Sequence, residues 1–256
     1  MYRYKSYSLE NSFKSSSSSG APLVSALMVT RGAFANIIRS FEYFSSQTWP
    51  NKELVIVSPR LDTELKNHLL SFKQKIKFVE QDPSLNLGDY RNLAVANSNG
   101  DYLCQWDDDD IYSPERISAQ MSVLGKSKSN AVFCEQVLIW WIEKKLIFLS
   151  AKKCWENTLL CKRSSAVVYP SIARGEDTFV ARSISNHQKV VLISEPSLYC
   201  YTIHGKNTWD NKHFEQILNE ADKIISSPEA NPHKHFEFML LYKKKIFNGA
   251  DFYFNQ

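Results

Sequence analysis

NLGDYRNLAVANSNGDYLCQWDDDDIYSPERI, residues 86–117, reads as a helix, a strand and an acidic run in direct succession. The helix is expected over 86–100, with Gly100 as its C-terminal stop. DYLCQW (101–106) is a strand that runs straight into Asp107, Asp108, Asp109 and Asp110. Ser113-Pro114-Glu115 then has the marks of a helix start: a serine cap, proline in the first turn and an acid near the positive dipole end. Four adjacent carboxylates repel one another and raise one another's pKa unless something cancels their charge.

Upstream, the same alternation repeats. LVSALMVT (23–30) is an apolar run of strand length. Phe34, Ile37, Ile38, Phe41 and Phe44 share one helical face, closed by Trp49-Pro50. ELVIVS (53–58) is a second buried strand, Asp62 caps a helix carrying Leu65, Leu69 and Phe72, and IKFVE (76–80) is a third strand. Strands alternating with helices imply a parallel, doubly wound α/β sheet. Ligands bind such sheets beyond the carboxyl ends of the strands. Thr30-Arg31, Ser58 and the aspartate run all fall at those ends, so one crevice should collect them.

The second half is more mixed. Short strands are expected at 131–135, 137–142, 146–149, 190–193 and 199–203, and helices after Gly175 and from His213 to Ile225. Residues 1–21, with KSSSSSG, read as a flexible tail. The main domain is expected over 22–227, divided into halves at 22–116 and 117–227. Residues 228–256 form an aromatic and basic extension around Lys243-Lys244-Lys245. It fits a helix packed on the domain, a homodimer contact, or a peripheral segment at a membrane surface.

Composition narrows the function. The chain has 256 residues, 43% of them hydrophobic, enough for a sizeable core. A net charge of +4 suits an anionic small substrate and is too weak to argue for nucleic acid. Five cysteines without a CxxC pair indicate neither a disulfide framework nor a zinc site, and suit reduced thiols of the cytoplasm. No apolar run reaches the roughly 20 residues of a membrane span; the nearest, Val137 to Leu149, is broken by Glu143, Lys144 and Lys145.

A carboxylate cluster at a strand end is a hard-oxygen site for Mn²⁺ or Mg²⁺, which take one or two protein carboxylates and substrate phosphates for the rest. The plain alternative is a solvated acidic turn. Likewise, the two acids of RGEDTFV (174–180) suit a helix start for dipole reasons alone.

The order LVSALMVTRG, ELVIVS, NLGDYRNLAVANSNGDYLCQWDDDDIYSPERI and RGEDTFV resembles the family-two glycosyltransferases of GT-A fold, over roughly residues 22–210. The resemblance implies an α/β fold: a Rossmann-like nucleotide-binding sheet joined to a mixed acceptor-binding half. It implies that Asp107, with Asp108 beside it, orients the nucleotide, that Asp109 binds the metal and that Asp110 supports them. Thr30, Arg31 and Arg91 fall near the base or diphosphate. Where the family's second strand ends in an aspartate pair, this chain has Ser58-Pro59-Arg60. Base recognition is therefore expected to rest on Thr30, Arg31 and Asp62.

The resemblance further makes Asp177 the general base for the acceptor hydroxyl, with Glu176 as its neighbour and acceptor contact. His204, in YTIHGKNTWD (201–210), completes the metal or diphosphate site, although a lone histidine is equally often structural. Trp155 either stacks on an acceptor sugar or is simply buried. The activity implied is inverting, metal-dependent transfer of a sugar from a nucleotide-diphosphate donor to a glycan or lipid-linked hydroxyl. The setting implied is surface polysaccharide synthesis, in the cytoplasm or at the inner membrane face. A degenerate binding module and a sugar-nucleotide pyrophosphorylase are the rivals. The latter would want a basic, glycine-rich loop that TRGAFANI does not supply.

Overall fold

The computed structural model describes residues 5–7, 20–31 and 33–225. Four strands, β2 (Val24–Val29), β3 (Lys52–Ser58), β4 (Lys75–Glu80) and β5 (Tyr102–Asp107), lie parallel. They alternate with α1 (Phe34–Ser45), α2 (Thr63–Leu70) and α3 (Leu87–Ala96) as expected. Val29 pairs with both Val57 and Asp107, so Thr30, Ser58 and Asp108 emerge at one level of the sheet. Helix α3 ends at Ala96, a turn short of the expected Gly100.

The sheet continues through the second half of the chain. β7 (Ala131–Cys134), β10 (Leu160–Lys162) and β11 (Val190–Ile193) extend it, with β1 (Lys5–Tyr7) at the edge, in the order β1-β11-β7-β10-β5-β2-β3-β4. Only β10 runs against the others. Within the stretch read as a flexible tail, Lys5–Tyr7 forms β1, paired with Val191–Ile193. The large sheet joins the two halves of the domain, drawing strands from both.

A second sheet holds β6 (Ile111–Tyr112), β8 (Leu138–Trp141), β9 (Leu146–Leu149), β12 (Tyr199–Ile203) and β13 (Lys223–Ile224), in the order β13-β9-β8-β12-β6. The last expected helix is shorter than its apolar spacing suggested. α6 (Asn211–Asn219) stops early, and Lys223–Ile224 pairs with β9 instead. The remaining helices are α4 (Arg116–Ser127) and α5 (Glu176–His187).

Side chains alternate across a strand, and here they divide the core into two layers. Met28, Ile56, Cys104 and Trp106 face Phe41, Phe44 and Leu65 of α1 and α2, and Ile117 of α4. Leu27, Val55, Val57 and Leu103 face Tyr90 and Ala94 of α3, and Val180 and Ile184 of α5. On β5 the second face ends at Asp107, which thereby points toward α3 and α5. No helix among the described residues is long and apolar enough to cross a membrane. The C-terminal extension, 228–256, lies outside the described residues.

Candidate active site

The acidic run does not behave as one cluster. Each of its four carboxylates goes to partners of its own. Asp107 Oδ1 accepts from Arg91 Nη2 at 3.1 Å. Asp108 Oδ2 accepts from Thr30 Oγ1 at 2.5 Å. Asp109 Oδ2 lies 3.0 Å from His204 Nε2. Asp110 is fully buried, accepting from the Tyr199 hydroxyl and, at 2.8 Å, from the Thr202 amide.

The electrostatics follow from this division. Burial and then Asp109 push the Asp108 carboxyl up to about 6, with the Thr30 hydrogen bond opposing. Burial raises Asp107 as well, while Arg91 pulls the other way. Burial and its two acidic neighbours hold Asp110 well above the usual carboxylate range. Asp110 therefore belongs to the scaffold, tying the acidic turn to β12.

An aromatic floor fixes that turn. Trp106 and Tyr112 stack with centroids 4.0 Å apart. The Tyr112 hydroxyl accepts from the Asp107 amide at 2.7 Å and donates to the Asp107 carbonyl at 2.8 Å. Beneath them the buried Arg116 guanidinium sits 4.8–5.3 Å from the ring centres of Trp106, Tyr112 and Tyr199. Its Nη2 donates to the Gln105 carbonyl at 2.9 Å. A caged cation attracts the faces of all three rings. Nothing in the local sequence marks Arg116 as buried.

The side that meets α5 is built around Arg91. Gly88, one turn earlier on α3, lies so close to residue 170 that an added Cβ would stand 1.8 Å from the Pro170 carbonyl oxygen. This approach brings Arg91 against the start of α5, where Gly175 takes φ +76° to turn the chain into the helix. Arg91 Nε donates to Glu176 Oε1 at 2.7 Å. Burial works against the guanidinium charge, but Asp107 and Glu176 outweigh it and keep it ionised. Asp177 follows, partly exposed. Burial pushes its carboxyl up to about 6, Arg91 holds it down, and Glu176 adds to the rise.

Thr30, Arg91, Asp107, Asp108, Asp109, Glu176, Asp177 and His204 therefore gather at one end of the large sheet. Arg31 is exposed beside Thr30. Glu176 is 1% exposed and paired with Arg91. Trp155 takes the buried alternative, its Nε1 donating to the Ala151 carbonyl at 3.1 Å. Arg91 gives two of its donors to carboxylates. Asp62 caps α2, its Oδ1 accepting from the amides of Glu64 and Leu65. The Ser58 hydroxyl donates to the Arg60 carbonyl at 2.9 Å, closing its own turn.

One participant went unnoticed in the sequence. Arg39 of α1 reaches over the acidic turn, its Nη2 3.3 Å from the Asp109 carbonyl oxygen. Its signal was a lone cation on the helix that follows β2.

Among the described residues, no group of three or more His, Cys, Asp or Glu is arranged to hold a metal ion. Asp109 and His204 form a two-donor set, with side chains 26% and 21% exposed. That suits an ion whose other ligands come from substrate phosphates and water.

Comparison with known proteins gives these features a context. The model of the glycosyl transferase family 2 matches residues 25–182. That span holds the threonine turn, the acidic run and the Glu176-Asp177 pair, and stops short of His204. An uncharacterized glycosyltransferase of Rickettsia prowazekii is 26% identical over 46% of this chain and 38% of its own length. The chain thus spans under half of that relative. An uncharacterized glycosyltransferase of Haemophilus influenzae is 20% identical over 89% of this chain and 96% of its own. Among solved structures, a TarS fragment from S. aureus in complex with UDP-GlcNAc has a TM-score of 0.60 at 14% identity, covering 78% of this chain and 67% of that one. A mannosyltransferase from Pyrobaculum calidifontis, in complex with GDP-Man and Mn²⁺, has a TM-score of 0.56 at 13% identity, covering 88% and 70%.

Proposed function

Because this chain belongs to glycosyl transferase family 2, we propose that it moves a sugar from a nucleotide-diphosphate donor to a hydroxyl acceptor, inverting the anomeric centre. The observation that carries this reading is the placement of Asp177, with its carboxyl at about 6, across Arg91 from the acidic turn. A base whose pKa lies near the working pH is well suited to take a hydroxyl proton.

In this reading Asp108, aligned by Thr30, and the exposed Arg31 receive the nucleotide. Asp109 and His204 would hold Mn²⁺ or Mg²⁺ together with the donor diphosphate. The bound ion supplies Lewis-acid neutralisation of the charge that grows on the leaving diphosphate. Asp177 takes the proton of the acceptor hydroxyl. The acceptor oxygen then attacks the anomeric carbon on the face opposite the departing diphosphate, and that single displacement inverts the centre. The neighbours solved with UDP-GlcNAc and with GDP-Man and Mn²⁺ lend support to such donors. A glycan or lipid-linked acceptor in surface polysaccharide synthesis, on the cytoplasmic side, completes the proposal.

The first experiment is thermal stabilisation by a panel of nucleoside diphosphates and nucleotide sugars, with and without Mn²⁺. A ligand that binds only the folded state raises its melting temperature. Manganese-dependent stabilisation by one nucleotide, followed by release of that nucleoside diphosphate when acceptors are added, is the expected result. Stabilisation without turnover on any acceptor would point to a binding module. No response to any nucleotide would defeat the proposal.

A further inference from the structure

We propose that Arg91 is a positioning residue that fixes the donor-side acidic turn and the acceptor-side base at one spacing, by bridging Asp107 and the first residue of α5. It rests on the reading of Asp177 as the base. The geometry is specific. One guanidinium, its side chain 9% exposed, gives Nε to Glu176 at 2.7 Å and Nη2 to Asp107 at 3.1 Å. Its two acceptors stand at the ends of different elements, β5 and α5, and Tyr169 lies beneath, its ring centre 6.0 Å away. The planar fork of arginine can hold two carboxylates at a set angle, which a lysine ammonium cannot do. Arg91 thus has two of its donors held by protein carboxylates. Its contribution is where Asp177 stands and how readily Asp177 ionises.

The charges around Asp177 come from several elements. Arg91 on α3 favours its ionised form, whereas Glu176 on α5, Glu156 in the 156–158 turn and Asp107 on β5 oppose it. Tyr169, and Tyr201 on β12, are held neutral by their own burial. The clamp thus contains one cation and one removable anion acting on the same base in opposite directions. A purely structural arginine would stabilise the fold without linking its charge to the base.

The test compares the full-length chain with Arg91→Gln, Arg91→Lys, Glu176→Gln and Asp177→Asn. The Asp177 carboxyl is followed by carbon-detected NMR titration, assigned by its loss in Asp177→Asn. The pH profile of kcat/KM is recorded alongside. Arg91→Gln should move the Asp177 titration and the acid limb upward by about one pH unit or more, and Glu176→Gln should move both downward. Arg91→Lys should keep the titration near its original place but lower kcat, with the KM for donor little changed. Identical titrations in wild type and Glu176→Gln would overturn the proposal, and this variant decides the matter alone if Arg91→Gln does not fold. Wild-type transfer by Asp177→Asn would instead defeat the reading of the base, while the titrations would still judge the clamp.

Discussion

The imidazole of His204 lies 3.0 Å from Asp109 Oδ2, although the two residues stand 95 positions apart. Asp109 comes from the turn after β5, and His204 follows β12 of the smaller sheet. A metal ligand must be neutral imidazole, and its loss weakens binding strongly. His204→Ala should therefore reduce manganese-dependent nucleotide affinity by about tenfold or more, leaving metal-free nucleotide affinity nearly unchanged. Isothermal titration with and without Mn²⁺ reads both numbers.

Asp177→Asn should separate binding from chemistry. Removing a general base typically costs about 10²–10⁴-fold in rate, and Asp177 touches neither Asp109 nor His204 in the hydrogen-bond network. Transfer should fall by that factor while nucleotide affinity stays. In the native protein, kcat/KM should decline below a limb near pH 6. Nucleotide binding lost along with transfer would assign Asp177 to the donor site.

Ligand-free stability should rise as pH falls from about 7 to 5. Burial raises Asp108 and Asp177 to about 6, so between there and the ordinary carboxylate range the folded state binds more protons than the unfolded one. His204 acts in the same sense. Its raised pKa, due first to the Asp109 hydrogen bond, gives stability that is lost as pH climbs through the folded value. Glu53 sets the lower limit. Burial opposes its ionisation, but bonds from Ser25, Asn99 and Gly100 hold its pKa below the usual value, and that stability disappears on acidification. Melting temperatures across pH 4–8 should pass through a maximum, and Asp108→Asn should flatten its alkaline side.

Two substitutions test the scaffold. Asp110→Ala leaves the Tyr199 hydroxyl and the Thr202 amide without their acceptor and should cost about 1–3 kcal/mol. Gly88→Ala drives a methyl group into the Pro170 carbonyl and should cost about 1–3 kcal/mol as α3 moves away. Urea denaturation measures both. Gly88→Ala should lower transfer as well, because Arg91 rides on the same helix.

Much of the large sheet was legible because each buried strand announces itself as an apolar run, and the runs alternate with helical periodicity. β2 through β5 and the aspartates at their ends follow from that pattern alone. The short strands did not show. β6, β10 and β13 have two or three residues each, too few for any period to register. Site residues were legible by chemistry, but their partners were not. Glu176 and Asp177 differ by one position, yet one is buried against Arg91 and the other is partly exposed. That outcome is decided by the approach of Gly88 to Pro170, 82 residues away, and no local signal carries it. Arg116 was opaque for the same reason, since its aromatic cage is assembled from three separate strands or turns.

Strand β1 has a consequence outside the site. Without it, Val190–Ile193 would be the sheet's rim, an apolar strand with one row of amides and carbonyls open to solvent. Such rims recruit strands from other molecules. Lys5-Ser6-Tyr7 covers the row and substitutes a short polar border bearing a positive charge. Deleting residues 1–19 should therefore leave catalysis in place and make the protein sticky. Self-association would grow with concentration, and the molecule's solubility would turn out to reside in three residues far from the chemistry.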